Sequence, residues 1–421
     1  MTKALSQQPS GRKSKGRILY VGNCYYHNWY ASRALRKLGW VADTLDIDSN
    51  EEWQMYYHGQ DFQLRCDGPK SAIKNLFFFL KAIRNYDIFH FYGMHGLTML
   101  YQFDNRFNGL LPKSWDVKLL KKLNKKIVYT LTGCLDGVSQ TSFSKWGPES
   151  TCAMCRWRDM PSVCSDERNL AWGKLRNTLA DYLIVVGGNR VDYNDDPKSH
   201  DVPELGCLDK NIWNPDLLIP ANYRLPFSED TIKIYHSVGH FESRTQALEN
   251  KNIKSTHIII PAVERLKAEG YKVELIFFHD VPNTKVRYYQ AQADIVVDML
   301  TYGYFGANVR EALMLGKPSI CYLRPEWLES MRAEVPQYVD EMPVISATPQ
   351  TVYEVLKDLI EHPEKRREIG RRSREFAVKW HSAEAAAHRL DKIYSDLLRV
   401  DRPQSVEEGL RVAGRENYES Y

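Results

Sequence analysis

Apolar residues along this chain recur in two rhythms that take turns. Short runs rich in β-branched and aromatic residues, RILYV (17–21), VADTLDI (41–47), DIFHFY (87–92), KIVYTL (126–131) and DYLIVV (181–186), read as strands. Between them, WYASRALRKLG and SAIKNLFFFLKAIRNY place their apolar residues at helical spacing. This alternation predicts a parallel sheet with crossover helices, so the first half is expected to be Rossmann-like. From 187 to 230 the rhythm lapses into stretches with several Pro, Asn and Asp residues (GGNRVDYNDDPKSHDVPELG, then WNPDLLIPANYRLPFSED), which read as loops and an interdomain connection. A second series restarts with IKIYHSV (232–238) and continues through a helix from about Ser255 to Glu269, KVELIFF (272–278), DIVVDM (294–299), a helix from about Asn308 to Leu315, and PSICYL (318–323). Residues 349–400 hold three helical segments, and the last, HSAEAAAHRLDKIYSDLL, is amphipathic and long enough to reach across a domain interface.

The expected fold is therefore α/β, two Rossmann-like domains facing each other across a cleft. A flexible segment (1–16) leads into an N-terminal domain (17–225) and a C-terminal domain (226–385), followed by a helix (386–400) packing back on the N-terminal domain and a polar tail (401–421).

Composition changes this picture little. The 421 residues are 43% hydrophobic and 26% charged, as in an ordinary soluble globular protein. A net charge of +4 with acids and bases interspersed leaves no extended footprint for nucleic acid, which is not an expected partner. The N-terminus is polar and basic, but the apolar run behind it, RILYV, is too short for a signal peptide or a membrane span. The expectation is a cytoplasmic protein with at most peripheral membrane contact. Eight cysteines in a chain this long do not suggest a disulfide scaffold. Four of them, Cys134, Cys152, Cys155 and Cys164, include one tight pair and have the donor set of a structural tetrahedral zinc; four ordinary buried thiols is the equal alternative.

The most informative segment runs from Ala293 to Tyr322, ADIVVDMLTYGYFGANVREALMLGKPSICY. A strand enters a loop carrying Gly303 and Gly306, then a helix, and after Gly316 and Pro318 another strand. The helix start points the backbone N–H groups of residues such as Ala307 and Asn308 at whatever lies above the loop, and phosphate suits that position. Glu311, about one turn in, is placed to accept hydrogen bonds from ribose hydroxyls; its bland reading is a carboxylate complementing the helix dipole.

Phe305, Gly306, Glu311, Ala312, Met314, Gly316 and Pro318 resemble the donor motif of the retaining glycosyltransferases of family 4, or group 1. That motif reads acidic residue, Gly, Phe, Gly, then Glu-Ala-Met-Ala-x-Gly-x-Pro; here Gly303 stands at the acidic position and Tyr304 at the glycine after it. Glu311 corresponds to the nucleotide-side member of the family's paired glutamates. A second likeness lies in IYHSVGHFESRTQALENKNIKSTHIIIPAVERL, where Lys254, Ser255 and Thr256 stand in place of a Lys-Gly-Thr motif and Arg244 lies in the loop before it.

The resemblance implies the GT-B fold, with acceptor binding in the N-terminal domain and donor binding in the C-terminal one. It implies transfer of a hexose-type unit, with retention, from a nucleotide diphosphate sugar to a glycan or lipid-linked saccharide, as in polysaccharide or glycoconjugate synthesis. Lys254 and Arg244 would stabilise the departing diphosphate, and no catalytic metal is expected. RILYVGNCYYHNWYASRALRKLG resembles the family's opening strand, turn and helix, with Gly22 and Asn23 in the turn and on the donor side. DIFHFYGMHG resembles its strand ending in His, with His90 and His95 as cleft candidates and His95 as a third catalytic one. The Cys-rich stretch looks like an insertion shaping the acceptor side. Alternatives sharing the architecture are a nucleotide-sugar epimerase, a phosphorylase-like enzyme, and a catalytically silent nucleotide- or glycan-binding protein.

Overall fold

The computed structural model describes residues 14–22, 26–47, 59–92, 97–100, 103, 112–131, 133–134, 136–185, 190–203, 207–245 and 251–399. In the first half, β1 (Arg17–Val21), β2 (Val41–Ile47), β3 (Phe62–Leu64), β4 (Ile88–Tyr92), β5 (Lys126–Thr130), β6 (Tyr182–Val185) and β7 (Ser199–Asp201) form a parallel sheet in the order β3-β2-β1-β4-β5-β6-β7. Its central strands are apolar on both faces because each face is covered. Leu19, Val21, Phe89, Phe91 and Tyr129 join one core, while Ile18, Tyr20, Ile88 and Val128 join the other.

The second half repeats the plan with β8 (Ile232–Val238), β9 (Val273–His279), β10 (Ile295–Val297), β11 (Ser319–Cys321) and β12 (Ile345–Ser346), parallel and ordered β12-β11-β10-β8-β9. The apolar pattern does not reveal β3, β7 or β12. Each has only two or three residues, too few for a period of two to show, and β7 lies within the stretch read as loops.

Strand order decides where a ligand can sit. The chain leaves β1 toward β2 and returns on the other side at β4; in the second sheet it does the same between β8 and β10. A crevice opens beyond the carboxyl ends of strands at such a switch point. Both switch points contribute to one cavity of about 460 Å³, with Tyr92 at the end of β4 facing Ser237 and Val238 at the end of β8. At the end of β1, Gly22 has φ +90 and its added Cβ would lie 2.0 Å from the Tyr92 carbonyl oxygen, so only glycine lets β1 and β4 end this close together.

The chain crosses between the halves twice, and the crossings lie side by side. The Leu208 N–H donates to the His381 carbonyl at 2.7 Å, and the Ala383 N–H donates to the Leu208 carbonyl at 2.8 Å. Trp213, fully buried just after the first crossing, packs 5.9 Å from the Tyr26 ring. The closing helix Ala383–Arg399 then lies along the helix His27–Lys37. Asp391 on it accepts from Trp40 Nε1 at 2.6 Å and pairs with Lys15 at 2.8 Å, and Tyr394 donates to the Tyr20 hydroxyl at 2.8 Å. No helix among the described residues is long and apolar enough to cross a membrane.

Candidate functional site

The cavity floor belongs to the second half. Beyond β10, Asp298 extends the ladder by donating its N–H to the Ile320 carbonyl at 2.9 Å, and its side chain is fully buried. Lys254 reaches it from the loop before the helix Thr256–Ala268, with Nζ 2.9 and 3.1 Å from the two carboxylate oxygens. That loop is held at several points. Asn252 Oδ1 accepts from the Lys254 N–H at 2.9 Å, and Ser255 Oγ accepts from the Leu300 N–H at 3.1 Å. His236 on β8 bonds both the Val297 carbonyl and Thr256 Oγ1; burial pushes its imidazole down to about 4, so it is a neutral brace.

Gly306 precedes the helix Ala307–Met314, and a Cβ there would lie 3.5 Å from both Lys254 Nζ and Asp298 Oδ2. The ammonium thus sits directly beneath the helix start. Asn308 ties that start to β8, its Oδ1 accepting from Ser237 Oγ and its Nδ2 donating to the Ser237 carbonyl, each at 3.2 Å. Gly306, Ala307, Asn308, Glu311, Lys254 and Arg244, all picked out from the sequence, line the one cavity. Gly22 ends β1 beside Tyr92 and donates its N–H to Leu45. Asn23 and His95 lie outside the described residues.

Glu311 is buried and fully engaged. Tyr26, from the first half, donates to its Oε1 at 2.9 Å; Asn283 donates to the same oxygen at 3.3 Å, and Gln290 to Oε2 at 2.8 Å. Burial pushes the carboxyl up to about 7, against the pull of Gln290, Tyr26 and Arg310. The folded state therefore holds this proton more tightly than the unfolded chain. The contribution of Glu311 to stability is fully present below the ordinary value of 4.5 and is lost as pH rises through about 7. Urea midpoints measured across that window should fall less steeply with pH in Glu311→Gln than in the parent; parallel curves would contradict the raised carboxyl.

His90 is not a cleft residue. Its ring is locked between Tyr394 (2.6 Å) and Thr130 (2.8 Å), and burial pushes it down to about 3. Among the described residues, the histidine that lines the cavity is His27, at the start of its helix and 4% exposed. A strand-end position suggested His90, whereas His27 carries no sequence signal because its place depends on how the first helix meets the second half.

The Cys-rich segment forms one wall, contributing Cys134, Met154, Cys155, Arg156 and Trp157 to the cavity. It docks on the loop beyond β10: Thr151 donates to the Thr301 carbonyl at 3.2 Å, and Phe143 and Trp146 pack edge-on against Tyr302. This docking explains Gly303. Its φ is +87, a Cβ would lie 2.8 Å from the Arg324 Cβ, and Arg324 stacks 3.8 Å over the Trp146 ring. A glutamate at 303 would strain the backbone and collide with the side chain that joins the Cys-rich segment to this loop.

The structure gives no support to the zinc site expected of Cys134, Cys152, Cys155 and Cys164. Among the described residues, no group of three or more His, Cys, Asp or Glu side chains is arranged to hold a metal ion. The four thiols lie near enough for their charges to bear on one another, in surroundings that differ. Cys152 packs against Val138, Phe143 and Trp146, while Cys134 and Cys155 line the cavity. Burial, with Cys155 and Cys164 nearby, pushes the Cys152 thiol up to about 11, which keeps it protonated at neutral pH.

Four cationic side chains, Arg156, Arg244, Lys254 and Arg310, line the cavity against the carboxylates of Asp280 and Glu311. The site is thus suited to an anion, with backbone amides at a helix start and an acceptor for hydroxyls one turn along.

No protein-family model matches the chain, and no curated protein matches it by sequence. Its structure is similar to the sucrose-phosphate synthase from Thermosynechococcus elongatus, at 15% identity and a TM-score of 0.57, over 91% of this chain and 100% of that one. It is also similar to Anabaena Alr3699/HepE in complex with UDP and glucose, at 12% identity and a TM-score of 0.54, over 90% and 99% of the two chains. The likeness shows the fold: two facing α/β domains of the GT-B type.

Proposed function

We propose that this protein is a glycosyltransferase that takes a hexose-type unit from a nucleotide diphosphate sugar, with retention in the manner of family 4, and passes it to a glycan or lipid-linked saccharide. The observation that carries this reading is the convergence, at the β8/β10 switch point, of the Gly306–Asn308 amides, Lys254, Arg244 and Glu311 on one cavity facing the first half. The helix start and Lys254 would receive the diphosphate, and Glu311 the ribose hydroxyls. As the glycosidic bond breaks, negative charge grows on the diphosphate. Lys254 and the amides lie ready to oppose it, which is work a divalent ion performs in other enzymes. HepE, similar in fold, is seen in complex with UDP and with UDP-glucose, the latter a nucleotide diphosphate sugar.

The absence of a carboxylate at Gly303 favours one second reading, a protein that binds a nucleotide sugar without transferring it. Thermal shift of the purified protein against a panel of nucleotide sugars should raise the melting temperature with at least one. Labelled donor turnover, with and without oligosaccharide acceptors, then separates the readings. Binding without turnover would establish the silent one, and no shift with any member would remove the donor site altogether.

A further inference from the structure

Arg310 lies on the cavity-lining helix between the apolar Val309 and the engaged Glu311. The residue is 5% exposed, and no described carboxylate forms an ion pair with it. Nη1 donates to the Tyr304 hydroxyl at 2.9 Å and to the Phe305 carbonyl at 3.2 Å. Nε is buried without a partner, and Nη2 makes no hydrogen bond to a described residue. Four phenols, of Tyr304, Tyr26, Tyr92 and Tyr338, surround the guanidinium and, uncharged at neutral pH, do not neutralise it; the neighbouring carboxyl of Glu311 is taken up by Tyr26, Asn283 and Gln290 and pushed up to about 7 by burial. His27 supplies no counter-charge either, since burial and Arg310 itself hold its imidazole well below the ordinary range.

A buried guanidinium without a counter-ion is costly, and the cost is tolerable where a ligand brings the missing charge. The edge without a protein partner, Nε with Nη2, is the one that takes a carboxylate through two parallel hydrogen bonds, Nε being covered in this conformation and reaching a ligand once the side chain shifts. Position also narrows the ligand. Arg310 stands three residues after Ala307, hence on the same helix face and one turn from the amides proposed to hold the diphosphate. A nucleotide sugar carries two groups at that remove, the ribose and the transferred sugar, and with the ribose assigned to Glu311 the sugar is the one left for Arg310. Tyr304, which departs from the motif resembled by this segment, is the residue that steers Nη1 away and leaves that edge free.

We infer that Arg310 binds a carboxylate on the transferred sugar, so that the donor is a nucleoside diphosphate hexuronate rather than its neutral counterpart. This rests on the glycosyl-donor reading above. The Gly303 geometry agrees with it, because no acidic side chain at that position faces the sugar.

The test is a set of matched pairs measured by calorimetry: UDP-glucuronate with UDP-glucose, UDP-galacturonate with UDP-galactose, and GDP-mannuronate with GDP-mannose, with UDP and GDP alone as references. In the pair that binds, the uronate should be favoured by about tenfold to a hundredfold. Arg310→Gln should bring that ratio close to one, and Arg310→Lys should leave an intermediate ratio, because it keeps charge without the paired donors. Equal affinity within every pair, or preference for the neutral sugar, overturns the inference even if the variants fail to fold. A loss in Arg310→Gln equal for nucleotide alone and nucleotide sugar also overturns it, making Arg310 a diphosphate ligand. Absence of binding by every compound sinks the donor reading itself and this inference with it.

Discussion

Replacing Lys254 with alanine is expected to lower kcat by roughly a hundredfold to a thousandfold, the range seen when one preorganised donor to developing negative charge is removed. The ammonium sits beneath the helix start and opposes a charge that grows only as the diphosphate departs, so donor affinity should change much less than turnover. One complication is structural. Asp298 is fully buried, and without Lys254 it loses its ion-pair partner, which destabilises a fold by about 3–5 kcal/mol when both charges are deeply buried. The double variant Lys254→Ala/Asp298→Asn separates the effects. Its melting temperature should return toward that of the parent, since the orphaned charge is gone, while kcat stays low. Recovery of kcat together with stability would show that Lys254 supports the fold and not the reaction.

The second large effect is expected at Glu311. Truncation to alanine removes the acceptor of Tyr26, Asn283 and Gln290 and should weaken nucleotide binding roughly tenfold to a hundredfold, as hydrogen bonds to a charged acceptor contribute about 1.5–3 kcal/mol. Tyr26 adds a sharper test because it belongs to the other half of the molecule. If ribose takes the place of its hydroxyl on Oε1, Tyr26→Phe should tighten nucleotide binding a few-fold while lowering the melting temperature through the lost contact between the halves. If Tyr26→Phe instead weakens binding as strongly as Glu311→Ala, then Tyr26 is part of the nucleotide site and ribose does not displace it. Normal affinity in Glu311→Ala would remove the assignment of this carboxylate to the donor.

Much of the architecture is legible in the chain because it rests on local repetition. Runs such as RILYV and IKIYHSV show their strands directly, and the interval between the two series shows that there are two sheets. The segment around Phe305, Gly306 and Glu311, and the Lys at 254, also announce themselves, since a helix start and its neighbouring residues are contiguous in sequence. Their convergence on one cavity follows from strand order, which periodicity does not encode: β8 and β10 become neighbours only because β9 lies on the far side.

What tertiary structure alone decided are the pairings between distant residues, and these set the chemistry of the site. Tyr26 meets Glu311 across 285 positions, and Asp298 meets Lys254 across 44. Cys134, Cys152, Cys155 and Cys164 carry a metal-like spacing, yet the docking of their segment on the Thr301–Gly303 loop sets Cys152 against an apolar cluster and Cys134 and Cys155 in the cleft wall. Arg310 offers no signal in sequence, since an arginine on a helix is ordinarily solvated. Its charge acquires meaning only because folding surrounds it with neutral phenols and engages the nearby Glu311 carboxyl elsewhere, and burial is a property of the assembled protein that no local window of sequence contains.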